Sequence, residues 1–335
     1  MTNFKNISDY ELSLTLFATA ENTTASSSEG NDLTPEMKTY YSEYLIDTAD
    51  PELVYDRFAQ KQPIPKNRGK SIEFRKYSPL AKATTPLTEG VTPDGQAIDV
   101  STVTATVSQY GGWMQLPDML LLSAIDNNMV QVTKLLGSQA GRTLDTVTRE
   151  VVCGGTSVMY AGSKLAREEL SKADKLTVSD IFKAVRFLKT QHAEKIDNSY
   201  VGIIHPDVAF DLMTSEGWLD VHKYAGTTEI YEGEIGKLGG VRFVETTEAK
   251  IFAGEGAEGC DVYATMIVGA NAYGVTEIQG GGLEHIVKQL GSGGSADPLN
   301  QRASAGWKAV KAAARLVEGY MVRIESASTF DSGEN

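Results

Sequence analysis

Residues 78–95, "SPLAKATTPLTEGVTPDG", separate two segments of strand character, and this arrangement constrains the fold more than any other stretch. In "KSIEFRKY" (70–77), Ile72 and Phe74 share one face while Glu73, Arg75 and Tyr77 take the other, the period of two of a half-buried strand. In "IDVSTVTATVSQY" (98–110), Val103, Ala105 and Val107 alternate with Thr102, Thr104 and Thr106, rich in the β-branched residues that suit a pleated surface. The spacing predicts a hairpin with an outsized tip. Structureless loops beyond about 12–15 residues are uncommon in compact domains and usually functional or disordered. This tip contains no His, Cys or Trp, too little chemistry for catalysis. A two-stranded ribbon is marginally stable alone, and at about 3.3 Å per residue its longer arm reaches roughly 40 Å. Such an arm needs another surface, and no second domain with a complementary groove is evident. The expected surface is another copy of the same protein.

Composition narrows the alternatives. A chain of 335 residues with 41% hydrophobic and 22% charged residues and a mean hydropathy of -0.22 reads as soluble and globular, large enough for a substantial core. The most apolar run, "MLLLSAI" (119–125), falls far short of the roughly 20 residues needed to span a bilayer. Asp9 and Glu11 stand where a signal peptide keeps an apolar region, so no export signal is read and a cytoplasmic origin is expected. Cys153 and Cys260 are too few for a disulfide framework, lack CxxC spacing, and read as buried inert thiols.

The net charge of -13 argues against a protein whose main task is gripping a nucleic-acid backbone. Its distribution is uneven. Arg57, Lys61, Lys66, Arg68, Lys70, Arg75, Lys76 and Lys82 face a single acid, Glu73, between positions 57 and 82. That segment's net +7 leaves -20 on the rest of the chain, the total being -13. A basic arm on an acidic body is attracted to neighbouring bodies, and attraction of this kind steers and registers association more than it adds affinity.

Residues 1–33 are polar and read as a mobile arm, followed by a short amphipathic helix from Thr34 and Pro35. "DNNMVQVTKLLGSQAGRTLDTVTREVVCGG" (126–155) carries Met129, Val132, Leu136, Ala140, Leu144, Val147 and Val151 in steps of three and four, one continuous helical stripe. At 1.5 Å per residue it would run roughly 40 Å. A second helix is expected over 177–193, with Val178, Ile181, Phe182, Val185 and Leu188 on its buried side. "SYVGIIHP", "VRFVET", "DVYATMIVGANAYGVTEI" and the closing "YMVRIES" read as strands. The class is α+β.

Catalytic signatures are missing. "GEGAEG" (254–259) has the glycines of a dinucleotide loop but precedes a strand, and Glu255 and Glu258 would repel phosphate, so it reads as a turn. There is no P-loop or GxSxG elbow, and His192, His205, His222 and His285 are isolated from one another. No metal, cofactor or catalytic residue is expected. The three tryptophans are scattered and read as core or subunit-contact residues.

"TPEMKTYYSEYLIDTADPELVYDRFAQKQPIPKNRGKSIEFRKYSPLAKATTPLTEGVTPDGQ" (34–96), "AIDNNMVQVTKLLGSQAGRTLDTVTREVV" (124–152) and "GWKAVKAAARLVEGYMVRIESAS" (306–328) resemble blocks, in order, of the major capsid proteins of the N-four-like family of tailed bacteriophages. The resemblance implies the HK97-like phage capsid fold, with an N-terminal arm at residues 1–50, an extended hairpin loop and its base at 51–125, and a peripheral domain with a long spine helix at 126–194. An axial domain at 195–300 and a C-terminal return to the peripheral domain at 301–335 complete it. It further implies self-assembly, as pentamers and hexamers, into an icosahedral virion shell enclosing double-stranded DNA without sequence-specific binding. Scaffold, portal and decoration proteins are further possible partners, and no membrane is involved. On this reading Arg68, Lys70, Arg75, Lys76, Lys82 and Trp113 are subunit-interface residues. The alternatives are an encapsulin-like cargo shell, a soluble α+β enzyme using the hairpin as a lid, and a DNA-binding protein using residues 57–82.

Overall fold

The computed structural model describes residues 45, 48–49, 53–63, 70–77, 80–90, 92, 94–119, 128–215, 218, 234–277, 282–293 and 297–330. The arm expected at residues 1–33, nearly all of the helix expected after Thr34, and Arg68 lie outside them. By its internal contacts the chain forms two compact units, 1–47 with 112–137 and 285–307, and 48–111 with 138–284 and 308–335.

In chain order, a short helix α1 (Val54–Arg57) leads to strands β1 (Gln60–Gln62), β2 (Ser71–Tyr77), β3 (Val100–Thr106) and β4 (Ser108–Pro117), then to the long helix α2 (Asn128–Cys153). There follow β5 (Val158–Tyr160), α3 (Val178–Thr190), β6 (Tyr200–Ile204), α4 (Pro206–Thr214), β7 (Glu234–Leu238), β8 (Val241–Glu245) and β9 (Ile251–Phe252). The chain continues through β10 (Val262–Val268), β11 (Tyr273–Thr276), β12 (Leu283–Lys288), β13 (Arg302–Lys311), β14 (Ala313–Arg315) and β15 (Met321–Ser326).

A seven-stranded mixed sheet of order β5-β15-β10-β6-β8-β7, with β9 beside β10, organises the larger unit. Strand β10 is buried along its whole length, which is why "VYATMIV" reads as an unbroken apolar run rather than an alternation. Its residues serve two cores. Tyr263 and Ile267 pack with Ile181, Val185 and Leu188 of α3 and Val208 and Leu212 of α4. Met266 and Val268 point the other way and pack with Val152 and Cys153 of α2 and with Tyr55 of α1. The closing strand β15 is an interior strand next to the β5 edge, parallel to β5 and antiparallel to β10.

The helix ends follow local chemistry. Thr177 caps α3, its hydroxyl accepting the Asp180 N–H at 3.3 Å and donating to the Asp180 carboxylate at 2.6 Å. His205 caps α4 through Nδ1, which accepts the Asp207 N–H at 3.3 Å, and Pro206 fills the first turn, where no N–H is needed. The stripe of α2 is as expected in its middle, where Val132, Leu136, Ala140 and Leu144 are buried; Met129, Val147 and Val151 are only partly buried, and Val152 is buried in place of Val151.

Two expectations are corrected. Phe182 does not share the buried side of α3 and is half exposed. It stands one position beyond Ile181, about 100° around the helix, and its ring lies over Gly239, where a Cβ would come within 2.8 Å of it. The strand expected over 98–110 is two strands. The Val107 N–H closes the ribbon on the Lys70 carbonyl at 2.8 Å, after which β4 leaves β2 and joins a sheet of order β12-β13-β4. "GEGAEG" is the turn expected of it, with Ala257–Gly259 in one 3-10 turn before β10.

Candidate assembly interface

β2 and β3 form a two-stranded antiparallel ribbon, from Ser71 opposite Thr106 to Tyr77 opposite Val100. Alternation gives it two unlike faces. Ile72 and Phe74, opposite Ala105 and Val103, form an apolar face that packs with Ala312, Ala314 and Leu316. Phe74 is wholly buried, and its ring lies so close over Gly274 of β11 that a Cβ there would stand 2.4 Å from a ring carbon. The ribbon is therefore rooted on its own chain, where the sequence led us to expect an arm needing a foreign surface along its length. The opposite face is polar and exposed, with Ser71, Glu73 and Arg75 facing Thr106, Thr104 and Thr102.

Beyond the paired strands the tip has neither a core nor regular structure among its described residues 80–90, 92 and 94–99, all of which are exposed. Leu80, Leu87 and Ile98 are 60%, 78% and 71% exposed. A hydrogen bond from the Gln96 side chain to the Ala81 carbonyl, 3.2 Å, crosses the tip. The basic residues are equally open. Arg57, Lys61, Lys70, Arg75 and Lys82 are exposed, and among the described residues none of them enters an ion pair.

Of the residues expected at the interface, Lys70 stands at the ribbon base, Arg75 on its polar face and Lys82 in the tip. The backbone of Lys76 lies in β2, and Arg68 is outside the described residues. Trp113 is not on the ribbon. It lies on β4, 69% exposed, its backbone and Cβ against Gly306 of β13. Trp218 and Trp307 are core residues, each 4% exposed.

Sequence spacing did not reveal the polar ties inside the body. Lys311 is wholly buried and pairs with Asp56, whose other carboxylate oxygen accepts the Thr148 hydroxyl at 2.6 Å. Glu325, also wholly buried, is gripped by Arg167 through Nε and Nη2 at 2.7 and 2.8 Å and by Arg323 at 2.7 Å. The Arg167 guanidinium stacks 3.5 Å over the Phe252 ring and reaches Glu255 of the glycine-rich turn as well. Burial pushes the Cys153 thiol up to about 12, against the opposing pull of Arg323 and Arg149, so it is a neutral packing group. The Cys260 thiol donates to the Leu170 carbonyl at 3.0 Å.

A fold with a docked ribbon, an undocked apolar tip and a long helix against a central sheet invites comparison with shell proteins. The family model described as phage capsid protein matches residues 112–289. The chain belongs to the phage capsid protein family. Among solved structures it resembles the capsid of Ralstonia phage GP4, with a TM-score of 0.69 at 14% identity over 83% of this chain and 89% of that one. It also resembles the capsid of cyanophage P-SCSP1u, with a TM-score of 0.61 at 13% identity over 81% of this chain and 87% of that one. A third likeness is to the capsid of cyanophage Pam1, with a TM-score of 0.60 at 12% identity over 99% and 100% of the two chains. No curated protein matches the chain. The fold is the HK97-like capsid fold, and the protein is a major capsid protein, building the phage head shell from copies of itself. The family is a structural one.

Proposed function

We propose that this capsid protein, as a member of the N-four-like group, forms rings of five and six subunits that close an icosahedral shell around double-stranded DNA, assembling in the host cytoplasm without a catalytic step of its own. In this reading the ribbon and its tip are the arm that one subunit lays over the next. The observation that carries it is the contrast along one hairpin: Phe74 is buried at the base, while Leu80, Leu87 and Ile98 are exposed at the tip. The base fixes the direction of the arm, and the tip keeps apolar area for a surface its own chain does not supply. Arg68, Lys70, Arg75, Lys76 and Lys82 give the arm a positive charge matched to an acidic body, and Trp113 offers a further exposed contact on β4. A ring closes only if the rotation between copies closes, and a tip without regular structure lets one sequence fit both ring sizes. In the same reading residues 1–50 are an N-terminal arm, 51–125 the extended loop and its base, 126–194 the peripheral domain with α2 as its spine, 195–300 the axial domain and 301–335 the return to the peripheral domain.

The test is expression of the full chain and of a variant lacking residues 80–96, each examined by sedimentation and negative-stain microscopy. Closed particles from the full chain and folded, unassembled subunits from the variant are expected. Normal particles from the variant would remove the arm from the account. A small discrete oligomer from the full chain, even when co-expressed with neighbouring phage genes, would count against closed-shell assembly.

A further inference from the structure

A group of ionisable side chains on the buried side of α2 takes no part in the surfaces described so far. Asp145 is wholly buried. Its Oδ1 accepts the Tyr55 backbone N–H of α1 at 2.8 Å, so one helix caps the first turn of another. Its Oδ2 meets no hydrogen-bond partner among the described residues. The groups around it come from four elements: Tyr55 and Asp56 on α1, Thr148, Arg149 and Cys153 on α2, Tyr273 on β11 and Lys311 on β13. None neutralises it. The Lys311 ammonium is held by Asp56, and the Thr148 hydroxyl also donates to Asp56. Arg149 turns its two Nη atoms to Glu150 and to the Glu248 carbonyl, at 2.8 and 2.5 Å, and its buried Nε makes no hydrogen bond among the described residues. The Tyr273 hydroxyl donates to the Tyr55 carbonyl at 2.5 Å, and the Cys153 thiol is neutral. Two carboxyl groups thus share one cation in a place closed to water, and a second anion there is costly unless it takes up a proton.

We propose that Asp145 is a proton-carrying latch: as a neutral carboxylic acid it holds α1 on α2, and loss of that proton loosens α1 and the strand β1 that follows it. The balance of forces at the site agrees. Burial, then the nearby Asp56 charge, pushes the Asp145 carboxyl from 3.8 up to about 7, against the opposing pull of the Tyr55 N–H, Lys311 and the Asp56 N–H. The docked form therefore binds the proton more tightly than the undocked one. Its contribution is complete below the ordinary carboxylate value of 3.8 and is lost as pH rises to about 7, with the weakest attachment above that.

Hydrogen exchange in the full-length chain tests this, read as protection factors for residues 53–63 at about pH 6 and about pH 8.5. Asp145→Asn keeps an acceptor for Tyr55 but carries no titrating proton. Wild type is expected to lose protection about tenfold over this interval while Asp145→Asn stays level. An equal fall in both proteins, or no fall in wild type, overturns the latch. Should Asp145→Asn fail to fold, carboxyl carbon NMR of the wild-type chain decides the matter. One buried Asp titrating near neutrality is expected, and a full set of Asp carboxyls titrating below about 5 refutes the idea.

Discussion

Lys311 shows what a single residue contributes here. It lies on the same side of β13 as Ala309, wholly buried, with its ammonium on Asp56. Replacing it with Met keeps the length of the side chain and leaves Asp56 as a buried anion with the Thr148 hydroxyl as its remaining named partner. Removing one partner of such a pair commonly costs about 3–5 kcal/mol, because the other charge is stranded away from water. Lys311→Met is expected to lose that much stability in denaturant unfolding, and the added loss from Asp56→Asn in the same chain should be small. Full additivity of the two substitutions would show that the pair is not the source of the cost. One half of this tie leaves a trace in the sequence that the spacing reading did not use. In "GWKAVKAAARL" a lysine falls on the apolar side of an alternating strand, which marks it as a residue needing a partner. The other half leaves none, because Asp56 lies 255 positions away and nothing in local spacing joins them. The same holds for Asp145, although Gly137, Gly141, Asp145 and Thr148 form a buried small and polar line at steps of four, four and three beside the apolar stripe.

At the level of elements, legibility followed periodicity. Helix α2 and the paired strands β2 and β3 fall where 3.6- and 2-residue patterns place them. The sheet change at Val107 does not show in the pattern, since the alternation runs through it and only the change of pairing partner marks the break. The docking of the ribbon is equally silent in the sequence, because it depends on the absence of a side chain at Gly274. A Cβ there would come within 2.4 Å of the Phe74 ring. Gly274→Ala is therefore expected to cost about 1–3 kcal/mol through overpacking, and to expose the amides of Ser71–Tyr77 to faster hydrogen exchange. Shrinking the ring with Phe74→Leu in the same chain should recover part of the loss. A Gly274→Ala protein with wild-type stability and a protected ribbon would show that the ribbon is rooted by something other than this contact.

Across the whole molecule the charge is divided against itself, +7 on residues 57–82 and -20 elsewhere, which sum to the chain's -13. A monomer gains little from that division, since exposed charges with no partner are well solvated and contribute little to stability. In the proposed arrangement, where the arm of one copy meets the acidic body of the next, copies of the chain gain more, because attraction between unlike surfaces raises the rate of correct encounter while like surfaces repel. Arg75→Glu with Lys76→Glu changes the arm's charge by four units, Arg75 being exposed on the polar face of the ribbon. The folded chain should keep its melting behaviour to within about 0.5 kcal/mol, the usual range for surface changes, while shells form slowly or not at all. Wild-type assembly should itself slow as salt is raised, because the screening length shrinks from about 10 Å at 0.1 M to about 3 Å at 1 M. The charge-reversed chain, lacking the attraction, should show little of that dependence or the opposite one, since salt would then screen repulsion. Light-scattering assembly curves across a salt series distinguish these outcomes. Normal shells from the double variant, with the same salt dependence as wild type, would mean that the basic segment is solvated surface and that the apolar tip alone directs assembly.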